Sequence, residues 1–134
     1  IWVTNFWEFT IGVLYGQPDF AFIQVNTLAM GAGLQPTTLA VADFNNDTYP
    51  DLAVTDAANK TVSVALGLGD RSFSQPTFYR SSALASSSSS MGAGDVNGDG
   101  YIDTVATYAK LDQVIIFYGD GHGSFSYHQV LSTG

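Results

Sequence analysis

Asp95-Val96-Asn97-Gly98-Asp99-Gly100-Tyr101-Ile102-Asp103 packs three carboxylates and one amide into nine residues, with the Tyr101 carbonyl between the last two donors. Like charges held that close repel unless a cation sits among them. A set made only of oxygens suits a hard divalent ion that takes six to eight ligands, Ca²⁺ above all. Subtracting 52 from each number returns the pattern as Asp43-Phe44-Asn45-Asn46-Asp47-Thr48-Tyr49-Pro50-Asp51. Asn, Asp and Gly are also what ordinary hairpin turns use, so one copy alone would read as a turn. The repetition of five positions at a fixed offset argues for cation binding.

The repeat extends beyond the loops. Gly67, Gly69 and Phe73 match Gly119, Gly121 and Phe125 at the same offset of 52. A degraded copy lies upstream, where Val13-Leu14-Tyr15-Gly16 resembles Ile116-Phe117-Tyr118-Gly119 and Phe22 follows Gly16 as Phe125 follows Gly119. Three units are therefore expected: a partial one over 1–37, then 38–89 and 90–134. Within them short strand-like segments are separated by turns. The expected strands are Thr38–Ala42, Leu52–Thr55, Thr61–Leu66 and Ser72–Tyr79, then Met91–Gly94, Thr104–Tyr108, Gln113–Tyr118 and Ser124–Leu131. Thr61–Leu66 alternates with period two, as a half-buried strand does. No helix is predicted. The serine-rich join Arg80–Ser90 reads as a surface connection between sheets or, alternatively, as a flexible stalk.

Composition agrees with an all-β chain: 46% hydrophobic, 13% aromatic, 12% charged and rich in glycine. The 134 residues suit one domain. The net charge of −8 would fall to −4 with two bound Ca²⁺. Four Lys and Arg residues are too few for a phosphate-tracking surface, so nucleic acid is excluded as a partner. Apolar runs such as Val114–Tyr118 are too short for membrane insertion as a spanning segment. Cysteine is absent, so disulfides do not brace the fold. The start at Ile1, without a basic or apolar leader, suggests a mature product or an excised piece of a longer chain.

The Asp-x-Asn-x-Asp opening invites an EF-hand reading, but the twelfth loop positions are Val54 and Ala106 in place of the required Glu. The flanks are also β-rich. Asp51 and Asp103 close each loop at position nine, which suits the tip of a β-hairpin. Gly98 and Gly100 supply residues that accept positive φ, whereas the first loop has Asn46 and Thr48 there. The Asp43 site is accordingly expected to be weaker or strained.

The loops, with Leu52-Ala53-Val54, Val62-Ser63-Val64-Ala65-Leu66-Gly67 and the later Gly-x-Phe, resemble the FG-GAP/VCBS-type repeat found in the heads of integrin α subunits. The resemblance covers about Thr38 to Leu131 and, loosely, Gly12 to Gln35. It implies tandem four-stranded antiparallel blades of a β-propeller, here two to three blades, with Ca²⁺ held in a hairpin loop. Carried over by position, the ligands are Asp43, Asn45, Asp47, the Tyr49 carbonyl and Asp51, and then Asp95, Asn97, Asp99, the Tyr101 carbonyl and Asp103. Such a stack leaves sheet surfaces to be covered by further blades of the same chain or by self-association.

Catalytic chemistry is not evident. His122 falls in a glycine-rich turn and His128 in a strand, with no spacing that makes a triad. We expect a non-enzymatic, extracellular or cell-surface scaffold for adhesion or recognition of a protein or glycan ligand. The alternatives are a carbohydrate-binding propeller lectin, with Trp2, Phe6, Trp7, Phe9, Phe20 and Phe22 as a stacking platform or as core, and a non-catalytic propeller region of a larger secreted enzyme.

Overall fold

The computed structural model describes residues 1–5, 10–16, 22–29, 34–80 and 88–134. They form three antiparallel sheets in chain order. The first sheet holds β1 (Trp2–Asn5), β2 (Thr10–Gly16) and β3 (Phe22–Ala29). The middle sheet holds β4 (Pro36–Ala42), β5 (Asp51–Asp56), β6 (Thr61–Ala65) and β7 (Thr77–Arg80). The third holds β8 (Ser90–Gly94), β9 (Asp103–Tyr108), β10 (Gln113–Gly119) and β11 (Phe125–Ser132). Each sheet is a meander in which sequence neighbours pair. The first strands of the second and third sheets, β4 and β8, lie against one another, as the inner strands of adjacent propeller blades do. The all-β architecture of four-stranded blades expected from the repeats is what the chain adopts. A 3₁₀ turn, Ala109–Leu111, connects β9 to β10 and ends at Asp112 in the left-handed region (φ 50°).

Burial explains why the sheets stack. The register pairs Ala53 with Val64 and Thr55 with Val62, which puts all four on one face of the middle sheet. Val62 packs with Ala106, Tyr108, Ile115 and Phe117 of the third sheet. On the other face, Leu52 and Val54 pack with Ile11 of the first sheet and with Leu34. Fully burying one such aliphatic side chain contributes about 1.5–3 kcal/mol.

Two expectations need amendment. Thr61–Leu66 reads as half-buried, yet every residue of β6 is buried, because the middle sheet is covered on both faces. The polar side chains Thr61 and Ser63 lie inside, Ser63 turning its hydroxyl toward the Val54 carbonyl at 3.5 Å. The return strand expected over Ser72–Tyr79 forms ladder only from Thr77. Its start is held by the isolated Gly67–Phe73 bridge, and Ser74 N–H donates to the Leu66 carbonyl at 2.8 Å. Pro76 lacks the N–H that a continuous ladder needs.

Of the serine-rich join, residues 81–87 lie outside the described part. Ser88 is buried, and its hydroxyl sits 2.6 Å from that of Thr55 and 2.8 Å from that of Thr38. The end of the join is thus fastened to the middle sheet. The proposed aromatic platform falls outside the described residues at Phe6, Trp7, Phe9 and Phe20, as do the side chains of Trp2 and Phe22.

Candidate functional site: two acidic hairpin loops

Both acidic loops connect the first strand of a sheet to the second, β4 to β5 and β8 to β9. In each, the side chains fold back on the loop's own N–H groups. Asp43 accepts from Asp47 N (3.0 Å) and Thr48 N (2.8 Å), and Asp47 accepts from Tyr49 N (2.8 Å). Asn45 accepts from Asp47 N (3.2 Å) and donates its amide to Asp47 Oδ2 (2.7 Å). The second loop repeats this with one change. Asp95 accepts from Gly98 N (2.7 Å) and Gly100 N (2.9 Å), Asn97 reaches Asp99 through both its oxygen and its amide, and Asp99 accepts from Tyr101 N (2.8 Å). Positions one, three and five therefore converge at each loop mouth. Among the described residues, no three His, Cys, Asp or Glu side chains form a ready-made metal cluster. The loops are drawn together by hydrogen bonds.

The backbone carries the signature expected of positions four and six. Gly98 and Gly100 have φ of 81° and 88°, and Asn46 and Thr48 hold the same region at 60° and 73°. Asn tolerates that conformation, but a β-branched Thr is strained in it.

Asp51 and Asp103 stand apart from the other acids. Both are completely buried at the loop base. Asp51 accepts from Phe44 N (2.8 Å) with one oxygen and from Gly67 N (2.7 Å) with the other. Asp103 does the same with Val96 N (3.0 Å) and Gly119 N (2.9 Å). Each carboxylate thus clamps its loop to the chain at the end of the third strand, Gly67 just beyond β6 and Gly119 as the last residue of β10. Position 67 must be glycine, because a Cβ there would collide with the Pro50 carbonyl; at 119 it would strike that of Ile102. The next glycines, Gly69 and Gly121, lie under the rings of Tyr49 and Tyr101. Sequence reasoning treated Asp51 and Asp103 as ligands alone. The signal for the clamp was present in the co-repetition of Gly67 and Gly69 with the loops.

Protonation follows these contacts. The N–H groups of Gly100 and then Gly98 hold the Asp95 carboxyl below its ordinary value of 3.8. Burial pushes the Asp51 carboxyl above that value. The Gly67 and Phe44 N–H groups oppose the rise, and the negative charges of Asp47 and Asp43 add to it. Those three carboxylates are close enough to repel, with no base among the loop residues.

The loops differ in what covers them. Phe44 is buried and meets Phe125 of the third sheet edge-on at 5.9 Å, while its carbonyl accepts from Gly123 N (3.0 Å). Its counterpart Val96 is 50% exposed, since among the described residues no further sheet covers the third. Of the histidines, His122 meets Asp120 through its backbone N–H (2.9 Å), and the His128 ring lies 5.5 Å from that of Phe117.

Meander sheets stacked face to face, the second and third each with an acidic loop between its first two strands, define a β-propeller-type repeat module. The family model described as FG-GAP-like repeat matches residues 43–106, from the first acidic loop into β9. The resemblance read from the paired loops is thus shown over that stretch. No curated protein and no solved structure was found to match the chain.

Proposed function

We propose that the chain is a non-enzymatic, Ca²⁺-binding repeat module that works as an extracellular recognition or adhesion scaffold. The observation that carries this is the nine-residue, oxygen-only loop built twice, with positions one, three and five converging at its mouth. Asp43, Asn45, Asp47, the Tyr49 carbonyl and Asp51 would hold one ion; Asp95, Asn97, Asp99, the Tyr101 carbonyl and Asp103 would hold the other. The donor chemistry fits a hard dication, which would relieve the repulsion from Asp47 and Asp43 that adds to the effect of burial on the Asp51 carboxyl. Bound there, the ion supplies charge neutralisation and rigidity.

With an affinity of the extracellular kind, on the order of 10⁻⁴ M, about 1 mM Ca²⁺ stabilises each site by ~1.4 kcal/mol. That magnitude suits structural support. The same sheet-on-sheet logic leaves the outer face of the third sheet, with Val105, Val114, Ile116 and Tyr118, to be covered by a further sheet from additional repeats or another copy. Thermal unfolding with Ca²⁺ and with EDTA tests the metal reading. Melting should rise by several degrees with Ca²⁺ in the parent and not in the Asp47→Ala/Asp99→Ala double variant. An unmoved parent transition defeats the proposal.

A further inference from the structure

The two acidic loops differ at positions four and six. The second loop has Gly98 and Gly100 there, which take positive φ without penalty. The first has Asn46 and Thr48, held at φ 60° and 73°. Glycine would suit that backbone better at position six, because a β-branched side chain is strained in the left-handed region. Strain kept at one position points to a role for the side chain that causes it.

Neither side chain serves the loop itself. The bonds that draw its mouth together run from the Asn45 amide and from backbone N–H groups to Asp43, Asn45 and Asp47. Thr48 contributes only its N–H, and among the described residues no hydrogen bond engages the Asn46 amide or the Thr48 hydroxyl. Both residues are exposed. With Asp47 between them they spell Asn46-Asp47-Thr48, the Asn-x-Thr pattern of an N-glycan acceptor. A second such tripeptide, Asn59-Lys60-Thr61, is closed by the fold. The Asn59 amide donates to Asp56 Oδ2 (2.8 Å), and Thr61 is only 2% exposed.

We propose that Asn46 is an acceptor for an N-linked glycan, added from a lipid-pyrophosphate oligosaccharide as the chain is secreted. The inference rests on the extracellular part of the function proposed above. In the transfer, Asn46 Nδ2 forms a bond to the anomeric carbon of the donor sugar, and the bond from that carbon to the pyrophosphate oxygen breaks. The lipid pyrophosphate leaves with the electron pair, and one amide proton passes to a base of the transferase; nothing is oxidised or reduced. Position four lies outside the set of donors that would hold Ca²⁺, so a sugar and an ion share the loop without competing. Gly98 and Gly100 deny the second loop both residues, so of the two loops only the first carries a glycan.

The test is expression of the chain behind a secretion leader in cultured mammalian cells. Mass spectrometry then reads the site after an amidase releases N-glycans in heavy-oxygen water, beside a control without the amidase. Most secreted chains should show the amidase-dependent label at position 46. Asn46→Gly and Thr48→Gly install the residues of the second loop, so both should fold and be secreted, and neither should carry the label there. Thr48→Ser, which keeps a hydroxyl, should retain it. A secreted parent chain with Asn46 bare, or a label at position 46 that persists in Thr48→Gly, would overturn the proposal. Because the leader imposes secretion, a bare Asn46 counts against the acceptor and not against the function proposed above. The metal part of that function is read separately, from Ca²⁺-dependent melting of the same secreted chain, which Asn46→Gly should leave intact. Loss of a Ca²⁺ shift in Asn46→Gly that the parent shows would make Asn46 a ligand and would also overturn the proposal.

Discussion

Removing the Asp103 carboxylate separates a clamp from a ligand, because the two roles respond differently to metal. Asp103 is fully buried and accepts from Val96 N and Gly119 N. Hydrogen bonds to a charged acceptor contribute about 1.5–3 kcal/mol each, and orphaned buried N–H groups cost a similar amount. Asp103→Ala should therefore lose about 3–5 kcal/mol, a large share of the roughly 5–15 kcal/mol typical of a domain. An unfolding entropy of about 2.1 cal/mol/K per residue over 134 residues gives about 0.28 kcal/mol/K, so melting should fall by roughly 11–18 °C. The assay is thermal and urea unfolding by circular dichroism in EDTA, beside Asp99→Ala. Asp99 is exposed and accepts from Tyr101 N, so its loss should cost under about 1 kcal/mol without metal. If the two variants lose equally in EDTA, or if Asp103→Ala is harmless until Ca²⁺ is added, the clamp is refuted.

Thr48→Gly should stabilise the fold by about 0.5–1 kcal/mol by releasing a β-branched residue from φ 73°, and Gly100→Thr should cost about 1–2 kcal/mol, both read from denaturant midpoints. Carboxyl NMR in EDTA should place the Asp95 midpoint below 3.8 and the Asp51 midpoint above it. The signs oppose: the Asp95 contribution to stability is present above 3.8 and lost as pH falls through its lowered value. That of Asp51 is fullest below 3.8 and fades as pH rises through its raised value. If the outer face of the third sheet docks another sheet, light scattering should show association that grows with concentration and that Ile116→Lys abolishes. A chain that stays monomeric at all concentrations removes self-association as the covering.

Much of the fold was legible because the repeat is. Positions 52 apart sit at equivalent places in the middle and third sheets, and the strand limits there fall within one or two residues of those expected, except for the return strand that starts at Thr77 and not Ser72. The left-handed backbone at Gly98 and Gly100, and its strained copy at Thr48, was likewise readable, since φ preference is local. What escaped was non-local. The Asp51–Gly67 and Asp103–Gly119 bonds span sixteen residues, and nothing in the loop itself shows which acid turns inward. The burial of Thr61 and Ser63 was hidden for a similar reason. Their polarity signals solvent, and only the position of the middle sheet between two others overrides it.

The same distinction bears on which loop would bind Ca²⁺ more tightly under the proposed function. From sequence the Asp43 site is expected to be the weaker, because Thr48 resists its backbone conformation. Thr48 sits at φ 73°, where a β-branched residue is strained, and that strain weakens the site only to the extent that the ion has to impose the conformation. Affinity depends on how much order the ion must still impose. The Asp43 loop is fixed by Phe44, buried against Phe125 and bonded through its carbonyl to Gly123, whereas Val96 leaves the Asp95 loop uncovered. Preorganisation by Phe44 favours the first loop, and the unstrained Gly98 and Gly100 favour the second. Calorimetric titration of Asp99→Ala, which keeps the Asp43 site, against Asp47→Ala, which keeps the Asp95 site, should find the former binding Ca²⁺ at least as tightly. A preference of tenfold or more for the Asp95 site would mean that positive φ is imposed by the ion itself, and the order of the two sites would revert.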